Sequence, residues 1–343
     1  MKPALPFVSY EVTMNCNLKC KFCYNHFKNT KEKPLPSSYN IANKTLRQIF
    51  KTFDVKQLTF TGGEPFMAER FGELVLTARL KGATVGIISN GNYADPEKYF
   101  QLTKLGIKLF ELPIHSYKSE IHDFMTRTEG SHQKSVKIIS FLQEKGIEPV
   151  AVVVLTKFNA DNASETIRFI SSLGIKKIML NRYNIGGEGV LNPNEVLPSK
   201  DMLQNAFKEI SDEALKSGIQ VFSGVCTPHC ILRPQDYKGI TFTSCSFDFS
   251  KRPITIDYLG NVRFCNHSPV ILGNIYTDTA EEILACSETK EWEKTIPDYC
   301  KNCRLFSSCK AGCRAATQQC GMSLDKPDPL IFYYEKEKNN EDK

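Results

Sequence analysis

The chain has 343 residues, 41% hydrophobic and 24% charged, the balance of a globular protein long enough for two domains. Its net charge of +6 is spread along the chain, which reads as a solvated surface and not as a nucleic-acid-binding stripe. No apolar run nears the ~20 residues that span a bilayer, and the opening residues lack the apolar core of a secretory leader. The chain therefore reads as cytoplasmic, where its thirteen cysteines point to metal or catalysis and not to disulfides.

A strand-then-helix alternation fills the first two-thirds. Phe7 to Thr13 is an apolar, β-branched run and a first strand. Ser38 to Phe53 has helical spacing at Ile41, Leu46, Ile49 and Phe50, with Ser37 or Ser38 as N-cap. Strands follow at Gln57 to Thr61, Thr84 to Ser89, Ile107 to Ile114, Val150 to Leu155 and Lys177 to Leu180. Helices intervene at Phe71 to Leu80, after Pro96, at Ser135 to Glu144 and at Asn162 to Leu173. Val150 to Leu155 is nearly all apolar, the pattern of a parallel strand buried on both faces. This alternation predicts βαβ units and a parallel sheet or barrel.

The pattern changes near residue 217. Pro, Gly and Cys become frequent and regular helices scarce. Pro253 to Asp257 and Asn261 to Phe264 flank Leu259-Gly260, a hairpin signal. The apolar periodicity here is too thin for a hydrophobic core alone, and metal clusters would supply the missing cross-links. The expected division is a barrel over 1–217, a cysteine-rich domain over 218–330, and a charged, disordered tail over 331–343.

Two cysteine arrays carry the chemistry. Cys16, Cys20 and Cys23 are spaced C-x3-C-x2-C just after the first strand. That places them at the C-terminal edge of the sheet, where α/β barrels do their chemistry. Three thiolates on a four-iron cluster leave one iron open. A zinc site completed by His26 is the competing reading. Gly62-Gly63-Glu64-Pro65 follows the second strand, and Ser89-Asn90-Gly91 ends the third. A Gly-Gly turn lets the backbone approach a ligand closely.

These pieces, in this order, resemble the radical S-adenosylmethionine (SAM) superfamily. The resemblance implies a partial (β/α)6 TIM-like barrel. It implies that Cys16, Cys20 and Cys23 hold a catalytic [4Fe–4S] cluster whose open iron chelates SAM. Reductive cleavage then yields a 5′-deoxyadenosyl radical that abstracts hydrogen from substrate. Gly62, Gly63, Glu64 and Pro65 match the motif that contacts the methionine amino group, and Ser89 and Asn90 a stretch near the ribose and carboxylate. Glu64 has a second reading as a helix cap. Ser116 after the fourth strand, and Arg127 in the next loop, are further cofactor candidates; Arg127 reads equally as a surface ion pair. Asn181 and Arg182 close the sixth strand and could face substrate. His26, His122, His132 and His267 read as structural or surface residues.

The second array runs Cys245-x14-Gly260-x4-Cys265, then Cys300-x2-Cys303-x5-Cys309-x3-Cys313, then Cys320. It resembles the seven-cysteine motif of SPASM domains, which implies two auxiliary [4Fe–4S] clusters. By that resemblance Cys245, Cys265 and Cys313 serve the first, and Cys300, Cys303, Cys309 and Cys320 the second. Some relatives place an upstream ligand where this chain has Gly239. Cys230 is then the favoured fourth ligand of the first cluster; an open iron and Cys226 are alternatives. Cys286 reads as a buried structural thiol in a helical stretch.

The resemblance implies oxidative modification of a ribosomal peptide or protein side chain. The alternative is a small-molecule dehydrogenase, an epimerase or a tetrapyrrole side-chain oxidase. Either needs an external electron donor such as flavodoxin or ferredoxin. The first strand starts near Phe7, so a peptide substrate would call for a separate recognition protein or would have to be leaderless.

Overall fold

Strand β1 (Phe7–Thr13) sets the frame by strict alternation. Val8, Tyr10 and Val12 are buried on one face, under helices; Ser9, Glu11 and Thr13 lie on the other. The structure, a computed structural model, describes residues 2–29 and 37–341. Parallel strands β2 (Gln57–Gly62), β3 (Thr84–Ile88), β4 (Leu109–Pro113), β5 (Val150–Leu155) and β6 (Lys177–Arg182) follow β1 in spatial order. Their crossovers are α1 (Tyr39–Thr52), α2 (Phe71–Leu80), α3 (Pro96–Thr103), α4 (Ser119–Thr126) with α5 (Ser131–Glu144), and α6 (Ala163–Ser172). Helix α1 begins at Ser38, whose side chain accepts the Ile41 N–H, and lays Ala42, Leu46, Ile49 and Phe50 on the sheet. This is the partial (β/α)6 barrel.

The sheet does not stop at the sixth strand. After α7 (Lys200–Ser217), β7 (Gln220–Ser223) and β8 (Ile240–Phe242) extend it in parallel on the β6 side. On the other side β9 (Ile254–Asp257) runs parallel to β1, with β10 (Asn261–Arg263) and β11 (Ile271–Asn274) antiparallel beyond it. The result is one 11-stranded sheet ordered β11-β10-β9-β1-β2-β3-β4-β5-β6-β7-β8. It runs across the division expected at residue 217. The Leu259-Gly260 hairpin forms as read, with Gly260 at φ +87°.

Three expectations change. Strand β5 is not buried on both faces: Ala151, Val153 and Leu155 are buried, whereas Val150, Val152 and Val154 are half-buried because they face the barrel lumen. The cysteine-rich part has more apolar packing than its sequence suggested. Trp292, in α9 (Ser287–Lys294) after α8 (Ala280–Leu284), stacks on Phe264 at 4.1 Å and joins the main core. After α10 (Phe306–Cys309) and α11 (Arg314–Gln319), the chain forms α12 (Pro329–Glu341) where a disordered tail was expected from 331. Leu330, Ile331 and Tyr334 bury its first turns; the last two residues lie outside the described part.

Candidate cluster and cofactor site

The Cys16 loop leaves β1 through a register shift between Glu11 and Thr13 and is strapped to the end of β2 by backbone. The Gly63 N–H donates to the Thr13 carbonyl and the Glu64 N–H to the Asn15 carbonyl, both at 2.8 Å. The Asn25 amide, just past Cys23, donates to the Gly62 carbonyl at 2.9 Å. Both glycines are needed. A Cβ at Gly62 would sit 2.2 Å from the Thr13 carbonyl oxygen, and one at Gly63 2.1 Å from that of Asn15. Leu18 is buried and anchors the loop between Cys16 and Cys20.

The end of β3 joins the same site through Glu64. One Glu64 oxygen accepts the Ser89 hydroxyl at 2.9 Å and the Phe66 N–H at 3.2 Å; the other accepts the Asn90 N–H at 2.7 Å. The Asn90 side chain then reaches Asn17 Oδ1 at 2.9 Å and Cys16 Sγ at 3.6 Å. Thus Cys16, Gly62 to Pro65, Ser89 and Asn90 form one connected edge. Glu64 does cap the short helix Pro65–Met67, and it also holds β3 to β2. Burial pushes its carboxyl up to about 7.

The triplet's chemistry suits a cluster. Burial raises the Cys16 thiol, raises Cys20 well above the usual range, and pushes Cys23 up to about 11. Buried thiolates need positive charge beside them, which bound iron supplies. His26 does not complete this set; its Nδ1 meets the Arg263 guanidinium at 2.9 Å. Among the described residues no three His, Cys, Asp or Glu side chains converge as a single metal ion requires. Three thiolates on separate corners of a cluster need no such convergence.

The outlying candidates have other partners. The Ser116 hydroxyl is buried and accepts the Lys118 N–H at 3.1 Å. Arg127 takes a left-handed φ of +53° at the end of α4 and pairs with Glu188 at 2.5 Å. That pair backs the triplet loop, because Gly187 packs on the Cys23 and Asn25 carbonyls. Arg182 does not face a substrate. It is buried against Asp328 at 2.5 Å, and also donates to the Cys226 carbonyl and the Thr227 hydroxyl.

The C-terminal thiols fall into two groups. The Cys226 and Cys245 thiols are neighbours and act on each other's ionisation, raising Cys226 and lowering Cys245. Arg252 donates to Cys245 Sγ at 3.6 Å, and the Cys265 thiol nearby favours its charge. Cys313 feels the Cys265 thiol and takes the Asn184 amide at 3.3 Å. The second group gathers Cys300, Cys303 and Cys309, and Cys230 joins it. The His229 N–H donates to Cys309 Sγ at 3.3 Å, and burial with the Cys309, Cys300 and Cys303 thiols pushes Cys230 up to about 12. This overturns the placing of Cys230 beside Cys245; Cys226 occupies that place. Cys320 lies near Tyr183 and Tyr333 and near Asp328, which Cys309 and Cys313 also feel; no other thiol acts on it. Cys286 is not inside a helix. It is the half-buried N-cap of α9, its sulfur 3.1 Å from the Thr289 hydroxyl.

One bridge joins the two arrays. Tyr24, next to Cys23, stacks on His267 with ring centroids 3.8 Å apart. The His267 ring meets the Asn184 amide at 2.6 Å, and the same amide reaches Cys313 Sγ. A fully buried Glu11–Arg263 ion pair fastens β1 to β10 beside it.

Comparison with known proteins agrees with this geometry. A family model for the radical SAM superfamily matches residues 10–170, and one for the SPASM iron–sulfur cluster-binding domain matches residues 245–309. The chain is a radical SAM enzyme with a C-terminal SPASM domain. These families imply [4Fe–4S] clusters and SAM as its cofactors. The enzyme is similar to an AdoMet-dependent heme synthase of Oleidesulfovibrio alaskensis, 23% identical over 98% of this chain and 89% of that protein. It is also similar to a PqqA peptide cyclase of Granulibacter bethesdensis, 23% identical over 93% of this chain and 85% of that protein. Its fold matches the solved structure of anSMEcpe with bound AdoMet and a Cp18Cys peptide, at TM-score 0.70 and 18% identity, covering 97% of this chain and 98% of that one. No described helix of this radical SAM enzyme is long and apolar enough to cross a membrane.

Sequence reasoning missed one lumen residue. Phe110 and Leu112 of β4 are fully buried under helices, so Glu111 between them points to the opposite, lumen face. Among the described residues its carboxylate has no hydrogen-bond or ion-pair partner. Burial pushes it up to about 7, and it acts electrostatically on Tyr24. A lone carboxylate in an otherwise apolar strand was the available signal. A surface cavity of about 310 Å³, lined by Lys2, Arg47 and Asp54, lies at the opposite edge of the sheet.

Proposed function

We propose that this enzyme oxidatively modifies a side chain of a ribosomal peptide or protein bound in the barrel lumen. Cys16, Cys20 and Cys23 hold the catalytic cluster; Gly62 to Pro65, Ser89 and Asn90 hold SAM. When bound, this pair supplies reductive C–S cleavage and a 5′-deoxyadenosyl radical able to take hydrogen from substrate. The protein's part is placement. The glycine pair leaves bare backbone at the open edge of the Cys16 loop. Glu64 fixes Asn90 against Cys16. Buried Leu18 anchors the loop that carries the half-buried thiols. The C-terminal thiols would hold two auxiliary clusters, which would supply a nearby acceptor for the electron left on substrate. An external donor such as flavodoxin or ferredoxin, and a separate peptide-recognition protein, complete the system.

The observation that carries the peptide reading is Glu111. An unpaired lumen carboxylate matches the N–H donors of a peptide and repels a substrate bearing its own carboxylates. The peptide cyclase relative and the peptide-bound structure of similar fold support the same reading. The heme synthase relative favours a second reading, a tetrapyrrole substrate. Anaerobically prepared enzyme, with SAM and a reductant, separates them. Offered the product of a short reading frame beside its gene and a carboxylate-bearing tetrapyrrole, it should remove hydrogen from the peptide alone, seen by mass spectrometry. Turnover of the tetrapyrrole alone would overturn the proposal.

A further inference from the structure

We infer that the two auxiliary sites divide the cysteines differently from the seven-cysteine motif: Cys226 closes the inner site with Cys245, Cys265 and Cys313, Cys230 closes the outer site with Cys300, Cys303 and Cys309, and Cys320 is not a ligand. The inference rests on the auxiliary-cluster reading above and assigns ligands within it.

The argument starts from topology. Strands β7 and β8 are parallel neighbours, so the chain between them must cross over the sheet to return in the same direction. Here that crossover has no α-helix, only the short turn Pro234–Asp236. Its leading part, residues 226–230, is free to lie across the thiols, and it is fastened at both ends. At the Cys226 end, Arg182 holds the Cys226 carbonyl at 2.9 Å and the Thr227 hydroxyl at 3.1 Å. The same guanidinium pairs with Asp328, which accepts the Cys313 N–H at 2.7 Å. Cys226 and Cys313 are thus clamped to one ion pair.

At the other end the segment lies on the Cys309 loop. The His229 N–H donates to Cys309 Sγ, and the His229 ring meets the Ser308 hydroxyl at 3.3 Å. Pro228 packs on Gly312, where an added Cβ would come within 2.8 Å of its ring. Gly312 also needs its φ of +76°. One five-residue segment therefore delivers one thiol to each group, and both groups reach four.

Cys320 is carried the other way. Cys313 and Cys320 cap the two ends of helix α11, so Cys320 lies about 10.5 Å along its axis from Cys313. Gln319 ties that end of the helix to the Tyr24 carbonyl at 3.0 Å, the His267 carbonyl at 2.6 Å and the Gly187 N–H at 2.7 Å. Those partners belong to the loop after Cys23 and to the strand ends beside it, not to the Cys309 loop.

The test is iron and sulfide content of the full chain after anaerobic reconstitution, with Mössbauer and electron paramagnetic resonance spectra of Cys230→Ala, Cys226→Ala and Cys320→Ala. Wild type should hold about twelve irons, three four-iron clusters. Cys320→Ala should keep about twelve. Cys230→Ala and Cys226→Ala should each fall toward about eight, or show the signal of a three-iron cluster. In every variant the SAM-perturbed signal of the Cys16 cluster reports a folded barrel. Where Cys230→Ala fails to fold, Cys230→Ser, which keeps an oxygen ligand, should restore folding with an altered outer-cluster spectrum. Loss of a cluster in Cys320→Ala, or full content in Cys230→Ala, overturns the assignment and leaves the auxiliary-cluster reading intact. A wild type with only about four irons overturns both.

Discussion

The two thiol regions are built on different physics. Around Cys16 the structure is mainly backbone on backbone, at the ends of neighbouring parallel strands. Thr13, Asn15, Gly63 and Glu64 are joined by N–H to carbonyl bonds, and only glycine fits the contact. Around the C-terminal thiols, arginines do the joining. Arg182 donates to the Cys226 carbonyl and Arg314 to those of Trp292 and Leu324, while half-buried Arg252 ties the nearer Ser246 and Phe264 carbonyls to Cys245. A backbone scaffold holds its shape without its cofactor. A side-chain scaffold that surrounds thiolates with positive charge is completed by the clusters it binds. The difference teaches where the fold tolerates loss of metal.

The largest expected effect breaks the backbone-built side chemically while sparing its shape. Replacing Cys16, Cys20 and Cys23 together by Ala should abolish 5′-deoxyadenosine formation and leave about eight irons per chain. Circular dichroism should remain native. Retained SAM cleavage would sink the assignment of the catalytic cluster.

The arginine-built side should break physically. Asp328→Ala leaves Arg182 buried without its partner, a change that costs about 3–5 kcal/mol. Denaturant unfolding should show that loss, with the inner auxiliary cluster depleted first. A midpoint unchanged from wild type would mean that the clamp is not what holds Cys226 to Cys313.

A smaller effect is expected where the backbone scaffold depends on one side chain. Glu64→Ala frees Asn90 from its place beside Cys16 and should weaken SAM binding by about 1–3 kcal/mol. Equilibrium dialysis on the reconstituted enzyme measures it. Unchanged affinity would confine Glu64 to capping the Pro65–Met67 turn.

The smallest and most specific effect concerns Glu111. Its carboxyl ionises near 7 because burial disfavours the charge. Below that pH it is neutral and cannot accept from two N–H donors at full strength. Substrate turnover should therefore rise with pH through about 7, and Glu111→Gln should flatten that rise while leaving SAM cleavage intact. A pH profile identical in the two proteins would remove Glu111 from substrate binding.

Local signals made much of this legible in the sequence. Strand alternation at Phe7 to Thr13, the Ser38 cap, the Leu259-Gly260 turn and the Cys16 triplet all depend on neighbours within one element. What was hidden depends on contacts between distant segments. Cys226 and Cys230 are four positions apart, and nothing local says that they serve different groups; the β7–β8 crossover decides it. Arg182 looked like a lumen residue because its partner, Asp328, lies 146 positions away. Helix α4 is short and half-polar, and α12 buries only its first turns, so neither carries a full apolar stripe. The lumen face of β5 looked like core because valine fills either setting.

In the proposed mechanism the Cys16 edge makes the radical, and the C-terminal clusters act after hydrogen abstraction. The direct measurement uses the double variant Cys245→Ala, Cys265→Ala in the full chain, first shown soluble with the Cys16 cluster intact by electron paramagnetic resonance. With SAM, reductant and substrate, 5′-deoxyadenosine and modified product are quantified together. The expected result is SAM cleavage with little or no product. Normal product formation would contradict it and leave the inner cluster as a structural cross-link.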